Sequence, residues 1–186
     1  ALVMDALEQL LKLDENWIPD NDSNSLYLRP FMFATDEYVG IRPSETYKFI
    51  IFGCPVGSYY TEPLKVKIES HYTRAANGGV GEAKAAGNYA ASLYPAKLAK
   101  ADGYHQLLWT DSKEHKYIEE SGTMNVMFVI NGKLITPDLS GTILPGITRR
   151  SVLEIVRSWG IEVEERKIEV SEIIEALEIG TLQEAF

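Results

Sequence analysis

A glycine-rich segment that ends in a lysine is the part of the sequence whose residue types could do chemistry. It reads Asn77-Gly-Gly-Val-Gly81-Glu-Ala-Lys84. A Walker-type phosphate loop would need Gly-Lys followed by Ser or Thr, whereas Lys84 lies between two alanines. A dinucleotide-binding fingerprint would need a third glycine where Lys84 stands. Both nucleotide-binding motifs are therefore excluded, and Lys84 by itself has the pattern of an ordinary surface lysine.

The cysteine and histidine content argues against thiol catalysis and against a metal site. Cys54 is the single cysteine, so an internal disulfide is impossible and no C-x-x-C motif exists. The three histidines, His71, His105 and His115, lack the spacing of metal ligands. The sequence also contains no G-x-S-x-G and no H-E-x-x-H motif. We therefore expect no metal ion.

Length and composition indicate a globular chain with an acidic surface. The 186 residues correspond to about one domain with part of a second, and 45% of them are hydrophobic. The formal charge of −9 disfavours nucleic acid and an anionic membrane as partners. No apolar run approaches the roughly 20 residues that a transmembrane helix needs. We expect a cytoplasmic protein, since nothing at the start resembles a signal peptide.

The first third of the chain is predicted to hold a helix and two strands. Apolar residues at helical spacing predict an amphipathic helix over residues 2–13. Residues 26–33 and 47–52 have strand composition, with Pro30 typical of an edge position. The glycines and proline of residues 53–60 then indicate an interdomain linker.

The remaining two thirds are predicted to contain mostly strands and three helices. Gly103 and Gly160 are typical of helix C-termini, and Asn131-Gly132 predicts a two-residue hairpin. Thr148 is a candidate N-cap for a helix that ends at Trp159. The predicted strands cover residues 64–70, 106–110, 117–119, 126–130, 133–136 and 161–168, and the predicted helices cover residues 88–102, 148–159 and 171–178.

Four separated segments share the order and spacing of a known enzyme family. They read Ser25-Leu-Tyr-Leu-Arg-Pro30, Arg74-Ala-Ala-Asn-Gly-Gly-Val-Gly-Glu-Ala-Lys-Ala-Ala-Gly-Asn-Tyr89, Glu119-Glu-Ser-Gly-Thr-Met-Asn125 and Leu144-Pro-Gly-Ile-Thr-Arg149. This set resembles the branched-chain aminotransferases, which are pyridoxal-phosphate enzymes of fold type IV. The resemblance covers the chain from about Trp17 onward.

The resemblance implies an α/β fold in two parts. Residues 1–56 would be the end of a small α/β domain with its linker, and residues 57–186 most of a pseudo-barrel large domain that binds the cofactor. Truncation at both ends is implied, because the family has an N-terminal phosphate-binding arginine and a C-terminal glycine-threonine phosphate loop without counterparts here. Family members are usually homodimers or larger.

The resemblance implies that three side chains contact the cofactor pyridoxal 5′-phosphate. Lys84 corresponds to the catalytic lysine, which condenses with the cofactor aldehyde and moves a proton between the substrate Cα and the cofactor C4′. Glu120 corresponds to the acid that pairs with the pyridine nitrogen, with Glu119 as the alternative one residue away. Tyr89 is expected to hydrogen-bond the phenolic oxygen.

Three further residues are expected at the cofactor phosphate. The backbone N–H groups of Ile147 and Thr148, with the Thr148 hydroxyl, would bind the phosphate at a helix N-terminus. The same residues also suit a simple N-cap. Arg74 is expected to brace the phosphate end, and an ordinary surface ion pair is its alternative.

The resemblance also implies substrate contacts and an activity. Tyr27 and Arg29 would line the substrate pocket from one strand, and Thr123 and Met124 would face the substrate carboxylate from a turn. The implied reaction transfers the amino group of leucine, isoleucine or valine to 2-oxoglutarate, in branched-chain amino acid biosynthesis. A D-amino acid transaminase, an aminodeoxychorismate lyase and a non-catalytic truncated domain are the alternatives.

Overall fold

The chain folds into two compact units, which a computed structural model describes for residues 2–21, 23–58, 60 and 62–186. The units are Ala1–Pro63 and Leu64–Phe186. Their division therefore falls later than the boundary expected after residue 56. No helix in the described part of the chain is long and apolar enough to cross a bilayer.

The first unit consists of an amphipathic helix and a long β-hairpin. Helix α1 covers Leu2–Leu13, as predicted, and a 3₁₀ turn follows at Glu15–Trp17. Strands β1 (Asn24–Ala34) and β2 (Tyr47–Gly57) pair antiparallel along their whole length.

The linker prediction was wrong for residues 53–57, because β2 continues through them. Gly53 pairs with Leu28 and Gly57 pairs with Asn24, so the ladder keeps these residues extended. In a two-stranded sheet both strands are edges, and the sheet therefore also accommodates Pro30 and Pro55. Tyr59, also part of the predicted linker, lies outside the described residues.

The second unit is a mixed α/β structure, which confirms the α/β fold class. Its strands are β3 (Val66–Ile68), β4 (Gln106–Thr110), β5 (Ile118–Ser121), β6 (Phe128–Ile130), β7 (Lys133–Thr136), β8 (Val163–Glu165) and β9 (Leu182–Ala185). Its helices are α2 (Ala86–Ala101), α3 (Ile147–Ser158) and α4 (Val170–Glu178). Asn131 and Gly132 have φ angles of 51° and 76° and form the predicted tight turn between β6 and β7.

The strands of this unit form two small mixed sheets. One has the order β3-β4-β5, with β3 parallel and β5 antiparallel to β4. The other has the order β8-β7-β6-β9, in which only the β7–β8 pair is parallel. The main hydrophobic core packs around Ile168, which is fully buried, and joins residues from both sheets with α4.

Three predicted helix starts lie later than the observed ones: α2 begins at Ala86 rather than Asn88, and the N-caps of the other two helices precede the predicted ones. The N-cap of α3 is Gly146 rather than Thr148, and the N-cap of α4 is Glu169 rather than Ser171. Both observed caps have extended backbone angles and no side-chain hydrogen bond. The N-cap preference for a hydroxyl side chain therefore favoured the nearest Thr and Ser instead.

Candidate active site

One cavity in the second unit gathers most of the residues predicted to be functional. Its volume is about 460 Å³, within the range of small-molecule sites. Eight predicted site residues line it: Arg74, Lys84, Tyr89, Glu120, Thr123, Met124, Ile147 and Thr148. Residues 74–186 thus bring an amine, a phenol, a carboxylate and a helix N-terminus to one place.

The loop that carries Lys84 is held by a buried amide. Asn88, in the first turn of α2, donates from Nδ2 to Val80 O at 2.7 Å and to Ala83 O at 2.9 Å. These two bonds fix the residues that precede Lys84. The Nζ atom of Lys84 then lies 5.0 Å from the centre of the Tyr89 ring, on the same side of the cavity.

The two adjacent acids on β5 point into different cavities. Side chains alternate along a strand, and Glu120 lines the cavity that contains Lys84, whereas Glu119 lines a separate polar cavity of about 320 Å³. Both side chains are buried. Glu119 accepts a hydrogen bond from Thr142 Oγ1 at 2.6 Å and has no ion-pair partner among the described residues. Glu120 is therefore the acid that this geometry places beside Lys84.

Arg74 forms a buried ion pair with Glu120. Arg74 Nε lies 3.0 Å from Glu120 Oε1, and both side chains are less than a tenth exposed. Burial raises the pKa of Glu120, while Arg74 and the Leu144 N–H, which donates to Oε2 at 3.1 Å, act in the opposite direction. Burial likewise raises the pKa of Glu119, and Thr142 and Arg74 offset part of this rise.

Helix α3 begins at the wall of the cavity. Gly146 is its N-cap and provides no side-chain acceptor, so the first N–H groups, which include those of Ile147 and Thr148, have no partner within the helix. Asn125 donates from Nδ2 to Leu144 O at 2.9 Å and fixes the chain just before the helix. This N-terminus suits a bound anion, and the assignment of a phosphate to Ile147 and Thr148 stays a prediction.

The turn after β5 carries Thr123 and Met124. Ser121 and Met124 exchange backbone hydrogen bonds of 2.9 and 2.7 Å, and Gly122 has a φ of 44°. This tight turn places both predicted substrate residues on the cavity wall.

Tyr27 and Arg29 lie on β1, in the first unit. They are two positions apart on one face of the strand, and the Arg29 guanidinium carbon is 4.9 Å from the centre of the Tyr27 ring. Their substrate role stays a prediction.

Several cavity residues were not selected from the sequence. They are Gly81, Ala83, Asn125, Met127, Leu144, Gly146, Arg149, Val152 and Phe186. Asn125 and Arg149 each end one of the four family-like segments, so these segments contained the signal. No sequence signal indicated Phe186, because its place at the cavity depends on backbone pairing with Met127, which is distant from it in the sequence.

The donor set of the cavity fits pyridoxal phosphate. Arg74 is paired with Glu120 and Arg149 with Glu165, and the amine of Lys84 has no ion-pair partner among the described residues, so it is the cavity cation that remains for an anionic ligand. Apolar side chains such as Met127 and Val152 supply walls for a heterocycle. A primary amine and a buried carboxylate are the groups that such a cofactor requires.

Comparison with known proteins gives curated relatives that are named branched-chain aminotransferases. Branched-chain-amino-acid aminotransferase 2 of Bacillus subtilis is 50% identical over 187 residues, which cover 99% of this chain and 52% of the relative. The Mycobacterium tuberculosis branched-chain-amino-acid aminotransferase is 41% identical, over 100% of this chain and 53% of its own length. The chain thus spans about half the length of the curated relatives it matches.

Solved structures agree with the fold. The Escherichia coli branched-chain amino acid aminotransferase has a TM-score of 0.78 at 26% identity, covering 99% of this chain and 57% of its own. The Thermobaculum terrenum enzyme, crystallised in its PLP form, has a TM-score of 0.79 at 28% identity, with coverage of 98% and 56%.

The family assignment follows from a match that leaves almost no residue out. The family described as amino-transferase class IV matches residues 3–184, which include the whole cavity apart from Phe186. The chain therefore belongs to the class IV aminotransferase family.

Proposed function

We propose that this chain is the part of a branched-chain amino acid transaminase that holds pyridoxal phosphate through Lys84. The amino group of leucine, isoleucine or valine would pass to 2-oxoglutarate. The observation that carries the proposal is the convergence of Lys84, Tyr89 and Glu120 with the uncapped start of α3 on one cavity. Relatives that are 50% identical and named branched-chain aminotransferases support the substrate class.

Pyridoxal phosphate, when bound, supplies an aldehyde carbon that amines attack and a heterocycle that takes up the electron pair left on deprotonating Cα. Lys84 would hold the cofactor through Nζ, by condensation with loss of water, and its amine, when free, would move the proton between Cα and C4′. Since the lysine is held in place, this transfer is intramolecular, which gives it a large effective concentration. The Nζ atom lies 5.0 Å from the centre of the Tyr89 ring, and both residues line the cavity.

The other residues would bind and orient. Glu120 would hold a proton on the ring nitrogen through its buried carboxylate, and the Tyr89 hydroxyl would donate to the phenolic oxygen. The N–H groups of Ile147 and Thr148 would bind the phosphate with the favourable end of the helix dipole.

Substrate recognition would involve two places in the chain. The turn with Thr123 and Met124 would receive the substrate carboxylate through backbone N–H groups, and Tyr27 and Arg29 would contribute substrate contacts from β1. We further propose a homodimer as the working assembly, which sedimentation of the chain at several concentrations tests.

The other activities of the fold have less support. A putative 4-amino-4-deoxychorismate lyase of Legionella pneumophila has a TM-score of 0.79 but is only 18% identical, so it shares the fold alone. A D-amino acid transaminase would share Lys84 and Glu120, and a panel of amino donors separates the two. Transfer from L-leucine, L-isoleucine and L-valine supports the proposal, whereas transfer from D-amino acids alone overturns the substrate class.

Covalent trapping tests the cofactor assignment. The chain is mixed with pyridoxal phosphate, reduced with borohydride and digested, and we expect one modified peptide that contains Lys84. Lys84→Ala should lose the yellow absorbance band and the label, while Lys97→Ala, on the exposed face of α2, should keep both. A label elsewhere, or no stoichiometric binding, would mean that the chain is a non-catalytic domain.

A further inference from the structure

A single buried arginine joins three separate segments at the edge of the cavity. Arg74 pairs with Glu120 on β5 through Nε. Its Nη2 donates to Gly81 O at 3.2 Å, in the loop that carries Lys84, and also to Thr142 O, in the segment before α3. The guanidinium is planar with donors in fixed directions, so one side chain can hold all three segments.

The three segments also approach one another closely. A Cβ atom on Gly81 would lie 2.6 Å from Thr142 O, which shows that only a glycine lets the loop reach this carbonyl. Thr142 donates its hydroxyl to Glu119, and Leu144 donates its N–H to Glu120. The segment of residues 142–144 is therefore attached to Arg74 and to both acids.

We infer that Arg74 is a positioning residue, which sets Glu120 and the Lys84 loop in register with one another and with the start of α3. The inference rests on the proposed function for what Glu120 faces. It assigns Arg74 to the carboxylate, whereas the family resemblance suggested the phosphate end. The arginine touches no reacting atom and acts through Glu120 and Gly81.

The electrostatics of the pair give the arginine a second effect. Glu120 is buried beside Glu119, and burial and the neighbouring acid both favour its neutral form. Arg74 is the basic side chain within ion-pair distance of Glu120 in the described part of the chain, and it favours the ionised form. A lysine at this position would keep the charge, but its single ammonium group lacks the separate Nε and Nη2 atoms with which Arg74 reaches the carboxylate and the two carbonyls.

A double-mutant cycle without cofactor tests the pair directly. Arg74→Ala should raise the unfolding equilibrium constant about 100- to 1000-fold, because it leaves the Glu120 charge buried and unpaired. In the Glu120→Gln background the same change should have a much smaller effect, about tenfold. Equal factors in both backgrounds would overturn the inference. If Arg74→Ala does not fold, Arg74→Lys is compared in the same two backgrounds by the same criterion.

A comparison of two vitamers separates positioning from phosphate binding. Pyridoxal lacks the phosphate of pyridoxal phosphate, so a phosphate-binding arginine affects only the second. For a positioning residue, Arg74→Ala should weaken both by a similar factor, about 10- to 100-fold as for other supporting residues. Weaker binding of pyridoxal phosphate alone would overturn the inference.

A spectroscopic signature separates positioning from a merely structural role. The pH midpoint of the absorbance change of the bound vitamer should move in Arg74→Ala in the same direction as in Glu120→Gln. An unmoved midpoint in Arg74→Ala would contradict the inference. Arg150→Ala, an exposed arginine 4.0 Å from Glu154, is the matched control and should change neither unfolding nor the spectrum.

These measurements distinguish failure of the inference from failure of the proposed function. The unfolding cycle uses no cofactor and decides whether Arg74 and Glu120 are coupled. Binding of pyridoxal phosphate to the unchanged chain decides whether the cavity is a cofactor site.

Discussion

Gly81 is the position where the smallest added group should have the largest effect on the site. Its φ is not in the left-handed region, so alanine would not strain the backbone itself. The added Cβ would instead lie 2.5 Å from Ala75 Cβ, 2.6 Å from Thr142 O and 2.9 Å from Thr142 Cα. Ordinary contacts begin near 3.4 Å, so Gly81→Ala requires the backbone at Thr142 to move by about 1 Å.

Two opposing effects determine how Gly81→Ala changes the free energy of unfolding. Overpacking of this kind destabilises a protein by about 1–3 kcal/mol. The loss of glycine's freedom in the unfolded chain offsets about 0.4–1 kcal/mol. The net decrease in the free energy of unfolding is about 1–2 kcal/mol, and about 2–4 °C per kcal/mol gives a decrease in Tm of roughly 2–8 °C. Affinity for pyridoxal phosphate should fall as well, since Thr142 O and Gly81 O both bind Arg74.

Thermal unfolding of Gly81→Ala and Gly87→Ala, followed by circular dichroism, is the assay. Gly87 lies in the first turn of α2, and a Cβ there would have no atom within 4 Å. Its replacement should therefore raise Tm slightly, because alanine favours the helix by about 0.5–1 kcal/mol. A Tm of Gly81→Ala at or above that of the unchanged chain would refute the close-contact argument.

Three further changes probe the supports of the fold and site. Asn88→Ala removes the two bonds to Val80 O and Ala83 O and should lower the free energy of unfolding by about 1–3 kcal/mol in urea, with faster hydrogen exchange in the loop before Lys84. Burial raises the pKa of Asp111, but four backbone N–H donors outweigh this effect and hold the pKa at about 2. The carboxylate therefore stabilises the fold above its unfolded pKa near 4, and this contribution is lost as the pH falls toward 2. Acid unfolding of Asp111→Asn should consequently depend less on pH across that range, and an unchanged dependence would contradict the assignment. Ile168→Ala, at a fully buried position, should cost about 2–5 kcal/mol in the same urea assay.

Local signals predicted much of the fold. The apolar spacing of α1 and the Asn131-Gly132 turn act within a few residues, and the structure has both where they were expected. Strand β9 was missed and β2 was predicted too short, because each depends on a partner elsewhere in the chain. Gly53–Gly57 are extended by pairing with β1, and β9 is defined by its pairing with β6.

The site shows the same distinction between local and distant causes. Lys84, Tyr89, Glu120 and the start of α3 lie within motifs whose spacing the sequence displays, and all of them line one cavity. The motif favoured Glu120 and left Glu119 as the alternative, and the strand separates the two, because alternation directs Glu120 toward the cavity that contains Lys84.

The contacts that hold these motifs together cannot be predicted from any single motif. Arg74 contacts Gly81, Glu120 and Thr142. Thr142 is the most distant of these in the sequence, 68 residues after Arg74. No periodicity or motif spacing encodes an ion pair between a loop and a strand so far apart, and a lone arginine before a glycine loop has the pattern of a surface residue. Its burial becomes explicable only once Glu120 is buried beside it, since an unpaired charge there would be costly. A motif search therefore finds the groups that would touch the cofactor, whereas the group that keeps them in register is recognised only from its buried charge and its partners.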